Sequence, residues 1–240
     1  MPELPEVETV RRGLELQVGR FPIGETIVCR SRAVAAPKGD PDGFTAALRG
    51  CELAGWRRRG KYLVAKLERD GEPAGELGVH LRMTGQFQWL QREERPPCPH
   101  TRVRFLSEKH ELRFVDVRSF GELWFVPLGT PTEQVITGLT RLGPEPFSDA
   151  FNANYLRQRL KGSSRPIKNA LLDQALVAGV GNIYADESLF MAGIRPHTPS
   201  GSVSAARLEK LRAALVKVLE LSIGAGGTTF SDFRDLTGTN

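Results

Sequence analysis

Pro2 is the residue with the most distinctive chemistry in this chain. Removal of Met1 would convert it into an N-terminal secondary amine. Such an amine can attack a sugar carbon, and the resulting iminium is an electron sink that acidifies the neighbouring C–H bond and permits elimination. Because α-amino groups titrate near pH 8, a useful fraction of them is neutral at physiological pH. Pro2 is therefore a candidate nucleophile.

Two glutamates follow this proline closely. Glu3 is the next residue and is a candidate proton shuttle, and Glu6 lies one helical step further and can line the same pocket. A purely structural interpretation is favoured when these residues are taken alone, because prolines start helices and glutamates suit helix N-termini. Further motifs are needed to choose between the two.

The composition indicates two domains and is compatible with a polyanionic partner. The chain has 240 residues, 40% of them hydrophobic, and exceeds the usual domain size of roughly 100 to 150 residues. Lys and Arg outnumber Asp and Glu by 33 to 28, which gives a formal charge of +5. A charge of this size suits a polyanion but does not identify one.

Cysteine usage and hydropathy exclude several classes of protein. Cys29, Cys51 and Cys98 are odd in number and widely spaced, so neither a disulfide framework nor a metal site is predicted, and a reducing compartment follows. No apolar run approaches the roughly 20 residues that cross a bilayer, and the N-terminus lacks the layout of a signal peptide. We expect a protein of the bacterial cytoplasm, or of an organelle or nucleus in a eukaryote, with no membrane partner.

Hydrophobic periodicity predicts the elements that must position these residues. Apolar residues recur at three- and four-residue steps from Pro2 to about Gln17, which predicts an amphipathic helix. Short alternating runs then predict an antiparallel β-sandwich, with exposed loops at Gly71–Gly75 and Arg92–Pro99. The clearest predicted strands are Thr26–Arg30, Tyr62–Leu67, Thr101–Phe105 and Leu112–Val117.

The second half of the sequence changes to helical patterns, of which Ala205–Leu221 is the clearest. The change follows a stretch rich in Gly, Pro and Thr, which is typical of a domain boundary. We therefore predict an α+β multidomain protein: a catalytic helix and β-sandwich over residues 1–130, a linker over 131–148, and a helical domain over 149–240.

Spaced motifs along essentially the whole chain resemble those of the formamidopyrimidine-DNA glycosylase family. They are Met1–Val10, Arg58–Leu63, His80–Gly85, Leu142–Pro146 and Asp173–Glu187. The part Val177–Glu187 is similar to the family's helix-two-turn-helix. The resemblance implies base-excision repair by a bifunctional glycosylase and lyase, which removes oxidised purines through a Pro2 Schiff base and cuts the strand by β/δ-elimination.

The resemblance also implies a role for each matching residue. Lys61 would act beside Pro2 and Glu3 as a second acid or base in the elimination. Gly179 and Gly181 would allow close backbone approach, so that Asn182 and the free N–H groups of its helix start meet a phosphate. Taken alone, Lys61 is by default a solvated hairpin lysine, and a lone histidine more often satisfies a local hydrogen bond. Turn glycines and a plain basic loop are about as favoured as the functional roles. The implied DNA contacts are His80, His100, Arg118, Ser164, Lys168 and Asn182.

An enzyme that reaches a stacked base must rotate it out of the duplex and fill the space it leaves. Met83, Arg118 and Phe120 match the family's void-filling residues. Met83 and Phe120 would be apolar wedges, and Arg118 would hydrogen-bond the orphaned base, which favours cytosine as the partner. On β-segments, Met and Phe are more often core residues, so the shared pattern carries this assignment.

The chain departs from the family's pattern at three places. Arg82 replaces a residue that is usually small, and Ser119 stands where a second arginine is common. The family continues past Gly226–Thr229 into a four-cysteine zinc hairpin, and no cysteine follows Cys98 here. We therefore expect zinc only in a longer form, and weaker DNA binding for this one, with the salt slope lowered by roughly one unit per lost phosphate contact. Leu221–Phe230 resembles the loop that closes over the flipped base.

Three hypotheses remain: an oxidised-purine glycosylase and lyase, a sister enzyme that prefers oxidised pyrimidines, and a DNA-binding module without catalysis. Leu4–Thr9 follows the purine branch. The presence of Pro2, Glu3 and Lys61 together favours chemistry over binding alone. The expected partner is damaged double-stranded DNA, bound by a monomer without an organic cofactor.

Overall fold

The structure, a computed structural model, describes residues 1–227 and has the α+β architecture predicted above. Its contacts form two units. The first comprises Met1–Pro2 and Glu6–Thr137, and the second comprises Glu3–Pro5 and the described chain from Gly138 to residue 227. The division after Thr137 falls within the segment assigned to a linker from sequence, which here contains a short helix and a 3-10 turn.

The first helix, α1, spans Leu4–Gly13 and continues into one π-helical turn at Leu14–Val18. It starts two residues later than the periodicity indicates, so Pro2 and Glu3 precede the helix and lie outside regular secondary structure. Apolar residues recur along one face of the helix at helical spacing, and two of them, Val7 and Val10, are buried in the core of the first unit. The helix thereby fixes the N-terminal residues to a packed element.

The β-rich part of the first unit forms two sheets. One has the order β1-β4-β5-β6-β10-β3 and the other has the order β2-β8-β9-β7. Within the described residues every pairing is antiparallel except that of β3 with β10, which is parallel and differs from the prediction. The strands are β1 Phe21–Pro22, β2 Glu25–Val28, β3 Val34–Ala36, β4 Glu52–Arg59, β5 Tyr62–Arg69, β6 Glu72–His80, β7 Gly85–Gln91, β8 Thr101–Leu106, β9 His110–Asp116 and β10 Glu122–Pro127.

The two sheets share one apolar core. Trp56 of the first sheet contacts Phe87 of the second edge to face, with 5.9 Å between ring centroids. Phe105 and Phe114 are fully buried in the same cluster. Burial of each such side chain stabilises the fold by about 1.5–3 kcal/mol, so the core holds the loops at the strand ends on a rigid base.

Two features of this unit differ from the sequence prediction. A helix, α2 at Pro41–Leu48, lies in the region predicted to be all strand, capped by Asp40 through a 2.7 Å bond from Gly43 N–H. The predicted loop Gly71–Gly75 is wrong, because the turn is the two residues Asp70 and Gly71, both with positive φ, and β6 starts directly after them. An Asp-Gly pair suits a tight hairpin turn of this kind.

The second unit is helical. Its helices are α4 Ala153–Leu160, α5 Ile167–Leu172, α6 Asn182–Ala192 and α7 Ala205–Gly224, and a four-residue helix, α3 Thr132–Val135, precedes them in the first unit. Their apolar faces form a second core that includes Tyr184 and Leu215. The last helix runs three residues beyond the predicted end. Over residues 1–227, no helix has the length and apolar character of a membrane span.

Candidate active site and nucleic-acid interface

The first three residues of the chain differ in their exposure to solvent. Met1 has a 52% exposed side chain, whereas Pro2 and Glu3 are buried. Glu6, one helical turn further on, is also buried. An exposed methionine before a small buried residue is accessible for removal, which is the step that would create the Pro2 amine.

Glu3 is bound by the N-terminus of α6 in the second unit. Its carboxylate accepts backbone hydrogen bonds from Gly181 at 2.7 Å and Ile183 at 3.0 Å, with Tyr184 N–H at 3.5 Å. The side chain is only 3% exposed. Negative charge is favourable at a helix N-terminus, where N–H groups lack intrahelical partners. The carboxylate is thus held in one orientation.

The glycines of this motif are required by close approach of the N-terminal segment. A Cβ at Gly181 would lie 2.5 Å from the carboxylate of Glu3, and one at Gly179 would lie 2.7 Å from the side chain of Leu4. Leu4 N–H also donates to Gly179 O at 3.0 Å. The family resemblance predicts that free N–H groups at this helix start bind a phosphate. The structure directs those of Gly181 and Ile183 to Glu3 instead, and the exposed Asn182 side chain remains the predicted phosphate contact.

Lys61 lies in the turn between β4 and β5 and is only 7% exposed. Arg58 braces this turn by donating to Gly60 O at 2.9 Å and also donates to Glu8 of α1 at 3.2 Å. A lysine this buried is uncommon unless it is paired or functional. The solvated hairpin lysine considered from the sequence is therefore not what the structure contains.

Glu8, which the sequence analysis did not single out, ties α1 to the turn that carries Lys61. It accepts from Arg11 and Arg12 of its own helix as well as from Arg58. Burial by itself raises the pKa of Glu8, but hydrogen bonds from Arg11 and Arg12 outweigh it, so the pKa is lowered. Spacing along the helix could have revealed the first two partners, but only the fold reveals Arg58.

His80 is buried at the end of β6, with its ring edge against Tyr62 at 4.5 Å. Its Nδ1 accepts from the backbone N–H of Arg82 at 3.0 Å, which leaves the ring proton on Nε2. Burial, followed by the charges of Arg82 and Lys61, lowers the pKa of His80 to about 3. His80 is therefore a neutral hydrogen-bond donor at physiological pH.

This environment predicts a pH-dependent stability. The unfolded chain protonates His80 near pH 6.5 and the folded chain only near 3, so below pH 6.5 the unfolded state binds more protons. We expect the free energy of unfolding to fall with decreasing pH by up to about 1.4 kcal/mol per unit from this residue. Denaturant unfolding of the full chain between pH 7.5 and 5.5 measures the slope.

A His80→Gln variant should show a shallower slope over that interval, because it lacks the buried imidazole. Equal slopes in the His80→Gln variant and the unmodified chain would contradict the assignment of a neutral buried imidazole.

The three residues predicted to fill a vacated base position lie in two turns of the first unit. Met83 is half-buried in the turn from β6 to β7, and Arg118 and Phe120 lie between β9 and β10. Phe120 is 43% exposed, and the Arg118 guanidinium lies over its ring at 5.1 Å from the centroid. Arg118 and Phe120 are therefore surface groups, not core residues.

The two substitutions in these turns have a common backbone feature. Arg82 and Ser119 both adopt positive φ, at 55° and 56°. Side chains disfavour this region, which explains why a small residue is usual at the first position. The Arg82 guanidinium donates to Glu122 at 2.9 Å, and this ion pair offsets part of the strain.

His100 is exposed where the loop Arg92–Pro99 meets β8. Two buried arginines that the sequence analysis did not identify hold this loop: Arg113 donates to the carbonyl oxygen of Pro96 at 3.2 Å, and Arg102 donates to that of Pro99 at 3.0 Å. Burial raises the pKa of Glu111, but hydrogen bonds from Arg104 and Arg113 outweigh it and lower the pKa to about 2. The segment leading to His100 is therefore anchored.

Lys168 and Arg165 of the second unit are paired with carboxylates. Lys168 Nζ lies 2.8 Å from Asp186, and Arg165 lies 2.9 Å from Asp173. Ser164 is exposed beside Arg165. Partly exposed ion pairs of this kind are weak, about 0–1 kcal/mol, so a phosphate can replace the carboxylate at low cost.

Within residues 1–227, no cluster of three or more His, Cys, Asp or Glu side chains is arranged to hold a metal ion. Cys29 and Cys98 are exposed and Cys51 is buried in the first core. The described residues do not fit the four-cysteine zinc site that the family resemblance implies.

Comparisons with known proteins agree with the two-part architecture. The N-terminal domain of formamidopyrimidine-DNA glycosylase matches residues 1–123, and the H2TH domain of the same proteins matches residues 142–234. These matches define a DNA glycosylase with an H2TH domain. The chain belongs to the formamidopyrimidine-DNA glycosylase family, whose members act in base-excision DNA repair.

Individual relatives extend over the whole chain. It is 64% identical to the formamidopyrimidine-DNA glycosylase of Parasynechococcus marenigrum (strain WH8102), covering 100% of this chain and 85% of that protein. Among solved structures, a Lactococcus lactis G226P mutant bound to Fapy-dG DNA aligns with a TM-score of 0.88 and 32% identity, covering 100% of this chain and 84% of the other. The L. lactis protein bound to abasic-site DNA aligns at 0.87, with 32% identity and coverage of 99% and 84%.

Proposed function

We propose that this protein is a bifunctional DNA glycosylase and abasic-site lyase that removes oxidised purines, including 8-oxoguanine and formamidopyrimidines, from double-stranded DNA. The observation that carries the proposal is the buried N-terminal segment, in which Pro2 precedes a Glu3 carboxylate oriented by α6. The relatives crystallised with Fapy-dG and abasic-site DNA support the substrate class. The protein acts as a monomer of the cytoplasm and needs no organic cofactor.

The chemistry begins at the Pro2 nitrogen. It attacks C1′ of the damaged nucleotide, the C1′–N bond breaks, and the base leaves with the electron pair and a proton. Opening of the sugar gives an iminium between Pro2 and C1′. Glu3, held by backbone donors, is positioned to move protons to the sugar or the leaving base. Glu6 lines the base pocket in this scheme.

Strand cleavage uses the same iminium. Loss of a C2′ proton breaks the C3′–O bond, and a second elimination breaks the C5′–O bond. Hydrolysis of the iminium then returns the free amine. Lys61 acts as the second acid or base, since a buried lysine in a braced turn can exchange a proton at a fixed position.

The proposed DNA contacts follow from the protonation state and the exposure of the side chains. Neutral His80 donates from Nε2 to a phosphate, with His100, Ser164, Lys168 and Asn182 as further contacts to the backbone. Met83 and Phe120 fill the space that the flipped nucleotide leaves, and Arg118 donates to the orphaned base. The direct contact with the orphaned base predicts a preference for cytosine opposite the lesion.

The function is tested with an end-labelled duplex that carries 8-oxoguanine opposite cytosine, after mass spectrometry has confirmed removal of Met1. We expect base release and a nick whose 3′ end is a phosphate, the product of two eliminations. Undamaged duplex is the control, and a duplex with an oxidised pyrimidine tests the alternative substrate class. Faster cleavage of the oxidised pyrimidine would overturn the substrate assignment, and binding without cleavage of any substrate would overturn the enzymatic one.

A Lys61→Gln variant should separate the two activities. We expect elimination to slow by about 10²-fold, a typical contribution from one general acid or base, while base removal persists and the covalent intermediate accumulates. The ratio of nicked to alkali-labile product measures this. Lys66→Gln is the matched control because Lys66 is exposed on β5, and equal ratios in the two variants would exclude Lys61 from the elimination.

A further inference from the structure

Asp116, at the end of β9, is a fully buried carboxylate (0% exposed). It lies where three segments meet: the residue His100, the turn that carries Met83 and the turn that carries Phe120. Its backbone N–H donates to His100 O at 2.9 Å, and its backbone carbonyl accepts from Arg102 Nε at 2.8 Å. Its side chain accepts from Thr84 Oγ1 through one oxygen and from Gly121 N–H, at 2.7 Å, through the other.

Thr84 extends this network to the second turn. Its hydroxyl donates to Asp116 and accepts from the backbone N–H of Arg118 at 3.0 Å. Thr84 directly follows Met83, and Gly121 directly follows Phe120. The bonds from Asp116 therefore reach the residue next to Met83 and the residue next to Phe120, with Arg118 joined through Thr84.

The hydrogen bonds of Asp116 and Thr84 lie where the pairing of β7 with β9 ends. The ladder between β7 and β9 ends at the pair of Gly85 with Asp116, so no further β7–β9 pairing aligns the two turns beyond it. The backbone at Gly121 lies so close to β9 that a side chain does not fit: a Cβ there would lie 2.6 Å from the Phe114 ring and 3.0 Å from Asp116. A buried carboxylate is costly unless its acceptor positions are filled. The hydrogen bonds that fill these positions on Asp116 join both turns to a single carboxylate.

We propose that Asp116 and Thr84 are positioning residues that lock the Met83 turn and the Arg118–Phe120 turn together, so that the void-filling residues enter the duplex as one unit. This inference rests on the proposed function. The preference for cytosine, which depends on the placement of Arg118, then requires the Thr84 hydroxyl, which bonds Asp116 and the backbone N–H of Arg118.

The test compares Thr84→Val, which removes the hydroxyl at nearly constant shape, with Thr84→Ser, which retains it, and with Asp116→Asn. Thr45→Val is the matched control, because that hydroxyl bonds only within α2, to Pro41 O at 2.9 Å. Three readouts are made on the full chain: kcat/KM on 8-oxoguanine opposite cytosine and opposite adenine, 2-aminopurine fluorescence beside the lesion, and borohydride trapping on a single-stranded abasic oligonucleotide, which has no partner base to displace.

For Thr84→Val we expect roughly a tenfold loss of kcat/KM on the cytosine duplex, the size of one lost hydrogen bond. The cytosine-to-adenine ratio should shrink and the 2-aminopurine signal should weaken, while trapping on the single strand stays within about twofold, because the chemistry at Pro2 needs no wedge. Thr84→Ser should restore all readouts, and Asp116→Asn should resemble Thr84→Val with a larger loss.

Two outcomes overturn the inference: Thr84→Val equal to Thr45→Val on every duplex readout, or duplex and single-strand activities falling together, which indicates general damage to the fold. Phe120→Ala separates this from failure of the proposed function. If Phe120→Ala weakens duplex activity and Thr84→Val does not, the positioning role alone is wrong. If the unmodified chain shows no trapping and Phe120→Ala changes nothing, the proposed function fails and the inference fails with it.

Discussion

Replacing Pro2 with glycine is expected to lower borohydride trapping on an 8-oxoguanine:cytosine duplex by about 10²-fold or more, the scale of loss when a catalytic nucleophile is weakened. The secondary amine of proline forms an iminium that carries its positive charge without protonation, whereas the primary amine of glycine forms an imine that must first gain a proton. Glycine also lacks the ring that fixes the direction of the nitrogen in the buried segment. Covalent protein–DNA adduct on a denaturing gel measures the loss.

The controls for this experiment use the chain itself. Pro22→Gly changes an exposed proline of β1 and should leave trapping unchanged. A form that retains Met1 moves the amine one residue away and should give no adduct. If both the Met1-retaining form and the Pro2→Gly variant trap as well as the processed chain, the nucleophile is another amine, and Lys61 is the first to test.

The second large effect is expected for Glu3→Gln, which should slow base removal by about 10²- to 10⁴-fold, the range for loss of a positioned acid or base. The amide cannot shuttle a proton, and its NH2 group would oppose one of the N–H donors of α6. Loss of a buried, charge-assisted acceptor should also cost about 1–3 kcal/mol of stability. Initial rates of base release and thermal unfolding measure the two effects.

A comparison of substrates separates catalysis from stability. With a preformed abasic site no base has to leave, so Glu3→Gln should slow cleavage of that site less than it slows base release. Glu209→Gln is the matched control, because Glu209 forms an exposed pair with Arg212 and should change stability by no more than about 0.5 kcal/mol. Equal losses on both substrates, accompanied by unfolding, would show that Glu3 acts only as a helix cap.

The fold predicted from sequence differs from the structure where local signals are weak. The four clearest predicted strands correspond to β2, β5, β8 and β9, with ends displaced by at most two residues. The helix α2 was missed because its eight residues lie among Pro, Gly and Asp, which are typical of loops. The parallel pairing of β3 with β10 joins residues about 90 positions apart, and no local pattern encodes such a partner.

The sequence by itself determined which chemistry this protein can perform, because an amine at position 2, a carboxylate beside it and a lysine in a basic turn are properties of residue types and order. It also determined where strands give way to helices, since periodicity is local. Only the tertiary structure decided the states of these groups. The contact of Glu3 with α6 spans 178 residues, His80 is neutral because it is buried beside Arg82 and Lys61, and Asp116 joins segments that separate strands bring together. Burial and long-range hydrogen bonds arise from packing, which no short stretch of sequence records.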